Sequence, residues 1–276
     1  MKKRIYFLFA PLFLLVLGTA SAQVSLAPTT VFIDQNGIGS LFITNPGNTP
    51  QEITIGFEFG YPGDDEKGNL KMIYGDSLKA SELGFGDRLR AFPRTFILAP
   101  QQQQTVRLQA RPDRSLAPGT YFTRVKVTSN PQTPNVEETT QEGVSTQVNF
   151  KFDQVIAAFQ KVGETSTGLE IGNIKIEREG DVIRAIPDYV VSGNSPYLGS
   201  VVATLKNSKG EIIAEQQQTV AFYFSGKRAV EMKLTQEVLT DAYELVLTYE
   251  TKRADIPSSD LVQAAPVSKT ILIASK

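Results

Sequence analysis

Within six residues, Asp64-Asp65-Glu66-Lys67-Gly68-Asn69 gathers three carboxylates and an amide, the raw material of a calcium loop. The spacing does not fit one, because Lys67 stands where oxygen ligands should alternate and no bidentate glutamate follows at the EF-hand distance. A solvated hairpin tip is expected instead. Ser77-Leu78-Lys79 brings a hydroxyl near an amine, but serine–lysine catalysis uses Ser-x-x-Lys opening a helix. Carboxylate pairs exist in any chain with 29 acidic residues, yet sugar hydrolysis also needs aromatic platforms, and there is no tryptophan. The absence of cysteine and histidine excludes disulfides, thiolate zinc, iron–sulfur clusters, imidazole ligands and the Ser-His-Asp triad. No catalytic residue, metal site or cofactor motif is found, so the chain reads as a binding protein rather than an enzyme. Six arginines, Arg88, Arg90, Arg94, Arg107, Arg111 and Arg114, lie close together in sequence. Guanidinium forks bind carboxylates, so a local anion site is one reading. Exposed strand positions with ordinary surface pairs are the expected one.

The elements that must position any site are read from hydrophobic periodicity. Residues 1–22 are set aside first, because Lys2, Lys3 and Arg4 precede an apolar run and the sequence Ala20-Ser21-Ala22. This is the three-part pattern of a signal peptide, and export with cleavage after Ala22 is expected. The apolar run is too short for a comfortable membrane span, so no stable membrane insertion is expected. Cleavage removes three positive charges from a chain of net charge −1, which argues against nucleic acid as a partner. Downstream, apolar residues alternate with polar ones over 53–59, at Val106 and Leu108, and over 121–127. Turn signals such as Asn45-Pro46-Gly47-Asn48 and Ala117-Pro118-Gly119 separate these runs. The same grammar restarts after about residue 160, with strands expected near 181–191, 199–206, 211–224, 228–234, 243–250 and 267–274. An all-β chain of two immunoglobulin-like β-sandwich domains is expected, at 23–155 and 156–276, with one continuous β domain as the alternative. Helix is limited to two short candidates, 76–83 and 235–240.

The segment before the junction is the most informative. Val144, Thr146, Val148, Phe150 and Phe152 form a strict period-two series. One reading is a last strand facing its own core. The other is an edge strand that lends alternate side chains to a second protein by β-augmentation.

Val24-Ser25-Leu26 leading to Val31-Phe32-Ile33-Asp34, and Gly39-Ser40-Leu41-Phe42-Ile43-Thr44-Asn45, resemble the opening strands of the periplasmic chaperones of the chaperone–usher pilus pathway. Phe92-Pro93-Arg94-Thr95-Phe96-Ile97-Leu98-Ala99-Pro100 followed by Thr105-Val106-Arg107 is similar to a further stretch of that family, and Leu116-Ala117-Pro118-Gly119-Thr120-Tyr121 to the turn entering its sixth strand. Asn194-Ser195-Pro196-Tyr197 and Asp241-Ala242-Tyr243 look like the second domain of its divergent, archaic branch. The resemblance implies a periplasmic, ATP-independent chaperone with two immunoglobulin-like domains set at an angle. It would bind fimbrial or other β-rich surface subunits by donor-strand complementation and work with an outer-membrane usher. On that logic Val144, Val148, Phe150 and Phe152 fill the client groove, with Thr146 a weaker filler, and Lys151 lies near the family's cleft lysine, which clamps a terminal carboxylate. One departure matters: the family's cleft arginine has no counterpart in Ala27-Pro28-Thr29-Thr30-Val31, and a lone lysine lacks the bidentate fork. The alternative is an exported immunoglobulin-like adhesion or surface-scaffold protein without chaperone activity.

Overall fold

The computed structural model describes residues 24–132, 151–234 and 243–273; the expected signal peptide and the helix candidate at 235–240 lie outside them. Alternating apolar residues build the first sandwich from two sheets. One has the order β1 (Ser25–Ala27), β3 (Ile38–Thr44), β9 (Gln103–Ala110), β7 (Leu89–Phe92). The other has the order β2 (Thr30–Ile33), β11 (Phe152–Val162), β10 (Gly119–Pro131), β4 (Gln51–Glu58), β8 (Thr95–Leu98). This division of successive strands between two sheets is the immunoglobulin arrangement. The chain changes sheet at Pro28, between β1 and β2, and at Pro93, between β7 and β8. A proline has no N–H to leave without a ladder partner, which suits both crossings.

Ile53, Ile55, Val106, Leu108, Val125 and Val127 are fully buried between the sheets, while Glu52, Thr54, Arg107 and Gln109 on the alternate positions are exposed. The Tyr121 hydroxyl donates to the Ala117 carbonyl at 3.0 Å, the tyrosine corner of this fold. Along β10 the expected alternation fails from Tyr121 to Arg124, where both faces are buried. The outer face there meets an insertion between β4 and β7 and the second sandwich. The insertion is a hairpin, β5 (Gly60–Asp64) with β6 (Leu70–Tyr74), followed by α1 (Ser77–Leu83). Asp76 caps the helix, its carboxylate accepting the Lys79 N–H at 3.0 Å.

The second sandwich sets β12 (Thr167–Glu179), β13 (Val182–Gly193), β16 (Gly226–Lys227) and β17 (Val230–Lys233) against a sheet of order β15 (Ile212–Phe222), β14 (Tyr197–Lys206), β18 (Tyr243–Glu250), β19 (Val267–Ile273). Tyr197, Val201, Leu205, Leu247 and Tyr249 are fully buried in its core. The fold is all-β, two immunoglobulin-like sandwiches. The boundary expected at 155/156 falls inside β11, whose every residue from Phe152 to Val162 pairs with β10. That strand is one element of the first sandwich, so the crossing to the second comes after Val162. No helix among the described residues is long and apolar enough to cross a membrane.

Candidate functional site

Strand β11 has two different edges. On one side it is zipped to β10 along its whole length, while on the other β2 covers only Ala157 to Gln160, in parallel register. Because β1 turns away to the opposite sheet, no described strand lies beside Asp153, Gln154 and Val155 on that side. The Gln154 side chain donates to the Val24 carbonyl at 2.7 Å, tying this stretch to the start of β1. Ile156 and Ala158 face the first core, and Ala157 and Phe159 face the junction with the second sandwich. Phe152 lies directly across from Ser129 and Gln154 from Val127. Opposed residues share a face, so Phe152 is on the core face with Ile156, and Val155, 39% exposed, is on the other. Of the expected site residues, Val144, Thr146, Val148 and Phe150 lie outside the described residues. Lys151 is exposed at the start of β11, close enough to Asp153 to help hold that carboxyl below its ordinary value, after the dominant hydrogen bond from the Thr128 hydroxyl at 2.5 Å.

Lys151 does not reach the cleft between the sandwiches. At about 3.3 Å per residue, the strand carries the chain about 20 Å from Lys151 to Ala157, where it first faces the second sandwich, and about 30 Å to Lys161. The lysine in the cleft is Lys161. A cavity of about 860 Å³ opens there between β2 and the loop after β18, with Phe32, Asp34, Lys161, Asp255 and Asp260 among its walls. The Lys161 ammonium donates to the Ser259 and Asp260 carbonyls at 3.3 and 3.1 Å. Asp255 is paired with Arg253, which leaves Asp34 and Asp260 against one lysine already engaged by carbonyls, so the cleft is weakly acidic and offers no unspent cation for a carboxylate clamp among the described residues. Asp255 is held below the usual carboxylate range chiefly by Arg253, which donates from both Nε and Nη2 at 2.8 and 2.5 Å.

The loop noted in the sequence is the tip of the β5–β6 hairpin and is exposed at Asp65, Glu66, Lys67 and Asn69, as expected, but Asp64 and Gly68 dock on the second sandwich. The Asp64 carboxylate is buried, pairs with Arg228 and accepts a hydrogen bond from the Tyr189 hydroxyl. Burial, reinforced by that carboxylate, raises the Tyr189 pKa. Around it the Ala229 N–H donates to the Gly68 carbonyl at 2.9 Å, and Arg184 donates to the Asn69 side chain at 2.7 Å. Asp65 accepts from the Lys67 and Asn69 N–H groups, both at 2.8 Å, so its oxygens serve the turn; no metal-binding cluster occurs among the described residues. The hairpin is thus a brace from the first sandwich onto the second. A second brace is Asn194. Its side chain donates to the Pro118 and Glu164 carbonyls, both at 3.0 Å, and accepts from the Ser166 N–H at 2.9 Å. Between the braces Tyr61, Phe122, Phe159 and Tyr223 pack stacked, edge-to-face or tilted, with centroids 4.6 to 6.4 Å apart. In the sequence Asn194 stands out only within a stretch of family resemblance, and nothing there signals the Asp64–Arg228 pair.

No family model matches the chain, and no curated protein matches it. Solved structures are similar to it in fold. The E. coli chaperone DraB shares 11% identity, the match covering 91% of this chain and 97% of that one at a TM-score of 0.40. The Salmonella enterica SafB chaperone, solved with the SafA pilin, shares 12% identity over 90% of this chain and 96% of that one, TM-score 0.39. The CsuC–CsuE chaperone–tip subunit complex from the archaic chaperone–usher Csu pili of Acinetobacter baumannii shares 13% identity over 76% and 91%, TM-score 0.39. The solved structures to which this chain is similar over most of its length include these chaperones of pilus assembly.

Proposed function

We propose that the chain is an exported, ATP-independent chaperone that binds fimbrial or other β-rich surface subunits by donor-strand complementation and delivers them to an outer-membrane usher. The observation that carries the reading is the half-covered edge of β11. Its backbone beside Asp153 to Val155 has no described strand partner, in a strand whose other edge is fully paired. An open edge is a template for β-augmentation, in which main-chain hydrogen bonds give affinity and alternate side chains give specificity. Upstream, Val144, Thr146, Val148 and Phe150 have the same sequence parity as Phe152, whose face is that of the first core. A strand continued in that phase would present them as groove fillers to a client. The client class proposed is the fimbrial subunit, the kind of protein that the SafB and CsuC structures hold.

Co-purification from the periplasm tests this. Wild-type protein should bring down β-rich subunits, and Val148→Asp with Phe150→Asp should abolish capture, because a carboxylate buried in an apolar groove loses its hydration without a partner. Recovery of no subunit by the wild type, or an unchanged complex with the double variant, would favour the scaffold alternative. Lys151→Ala and Lys161→Ala, made separately, compare the two places where a client carboxylate has been sought. The acidic cleft leads us to expect little loss from either.

A further inference from the structure

The six sequence-adjacent arginines separate in the fold, and two of them come together. Arg107 lies on the exposed face of β9, and Arg88 stacks over the Tyr121 ring at 5.6 Å. Arg111 and Arg114 are exposed in the loop after β9. Arg90 and Arg94 instead line one cavity of about 620 Å³ beside β7, where the chain changes sheet, together with Phe57, Ala91, Phe92 and Asp87. Its size is within the range of small-ligand pockets.

Both guanidinium groups are held by main chain rather than by acids. Arg90 Nη1 donates to the Asp87 and Leu89 carbonyls, each at 2.8 Å, and Arg94 Nε donates to the Ile55 carbonyl at 3.3 Å. Neither arginine takes part in an ion pair among the described residues. Both side chains are exposed, each is oriented by main-chain carbonyls while keeping donors unspent, and the cavity sets two positive charges against the single carboxylate of Asp87. Such preorganisation lowers the entropy lost on binding an anion. The remaining wall is apolar, with Phe92 54% exposed into solvent. A bare inorganic anion would use the forks and leave the aromatic wall idle.

We propose that this cavity is a binding site for a carboxylate carried on an apolar group, as at an acidic or terminal residue of a peptide next to an aromatic or aliphatic side chain. The carboxylate lies between Arg90 and Arg94, and the apolar body covers Phe57 and Phe92. The site is independent of the β11 edge.

The test is a titration of the mature, isotope-labelled chain followed by amide NMR, with 3-phenylpropionate as the probe. Saturable shifts are expected at Gly86, Ala91 and Phe92. The neutral isostere 3-phenylpropanamide should bind at least about tenfold more weakly, since charge-assisted fork bonds are lost, and inorganic phosphate should also bind more weakly. Arg90→Gln with Arg94→Gln should remove the binding, and Arg114→Gln, in the exposed loop after β9, should keep it. Equal binding of acid and amide, equal binding of phosphate, or retention by the folded double variant would overturn the proposal. If the double variant does not fold, the ligand comparison on the wild-type chain decides.

Discussion

Two tyrosine hydroxyls in the second core have no hydrogen-bond partner among the described residues, although Tyr197 and Tyr249 are both fully buried. Burial pushes both pKa values up. An unsatisfied buried hydroxyl costs about 1–3 kcal/mol, so Tyr249→Phe, which keeps the ring and drops the oxygen, should leave stability unchanged or raise it by about 1 kcal/mol. Tyr121→Phe is the contrasting case, because it deletes the bond to Ala117, and it should cost about 1 kcal/mol. Urea unfolding of the three proteins side by side reads both effects; a loss on Tyr249→Phe would show that its hydroxyl has a partner in solution. At this scale the sequence was informative about type and silent about partner. It showed that Tyr121 follows a Pro-Gly turn, a tyrosine-corner position, but no local pattern distinguishes a satisfied core hydroxyl from an orphan.

Among the elements, the β5–β6 hairpin does more than its sequence reading implied. Its tip is exposed from Asp65 to Lys67 as expected, yet Asp64 at its base pairs with an arginine 164 residues away. Composition cannot report such a contact, since the desolvation of Asp64 depends on where the second sandwich docks. Asp64→Ala leaves Arg228, 12% exposed in its side chain, as an uncompensated buried charge, for which about 3–5 kcal/mol of destabilisation is expected. Asp64→Ala with Arg228→Met should recover much of that loss, as two-domain chemical denaturation would reveal; no recovery would mean that the brace acts through Tyr189 instead. Strand β11 was more legible. The sequence series that ends at Phe152 marked where it begins, while its continuation to Val162 and the coverage of one half of its edge by β2 depended on where the chain changes sheet at Pro28.

For the whole molecule, the absence of histidine and cysteine removes the side chains that ordinarily titrate between about pH 5 and 8, so stability should be nearly flat across that range. On the acid side, hydrogen bonds hold Asp65, Asp76, Asp113 and Asp153 below their ordinary values. The unfolded chain then takes up protons first, so their stabilisation is present above about pH 4. It is lost as pH falls through the lower folded values. On the alkaline side, Tyr61 and Tyr223 at the junction are pushed up to about 12 from 10.0, both chiefly by burial. Their contribution is complete below pH 10 and is lost as pH rises towards 12, and the raised tyrosines of the second core, Tyr197 and Tyr249, act in the same direction, so junction and core should both weaken above pH 10. Thermal unfolding across pH, with small-angle scattering for domain separation, checks both limbs; a transition between pH 5 and 8 would contradict the first.

Alternation by itself determined that this chain makes half-buried strands, and turn residues between the runs determined roughly where they end. Both are local consequences of a side-chain period of two and of prolines and glycines that break ladders. The absences in composition removed disulfide, thiolate and imidazole chemistry. Tertiary structure alone decided that β11 runs unbroken through the expected boundary, that Lys161 rather than Lys151 stands in the cleft, and that the cleft is acidic. It also decided which two of six arginines share a cavity. These depend on long-range docking of one sandwich on the other and on sheet changes that bring distant residues together, and the energy of such contacts leaves no periodic trace in the sequence.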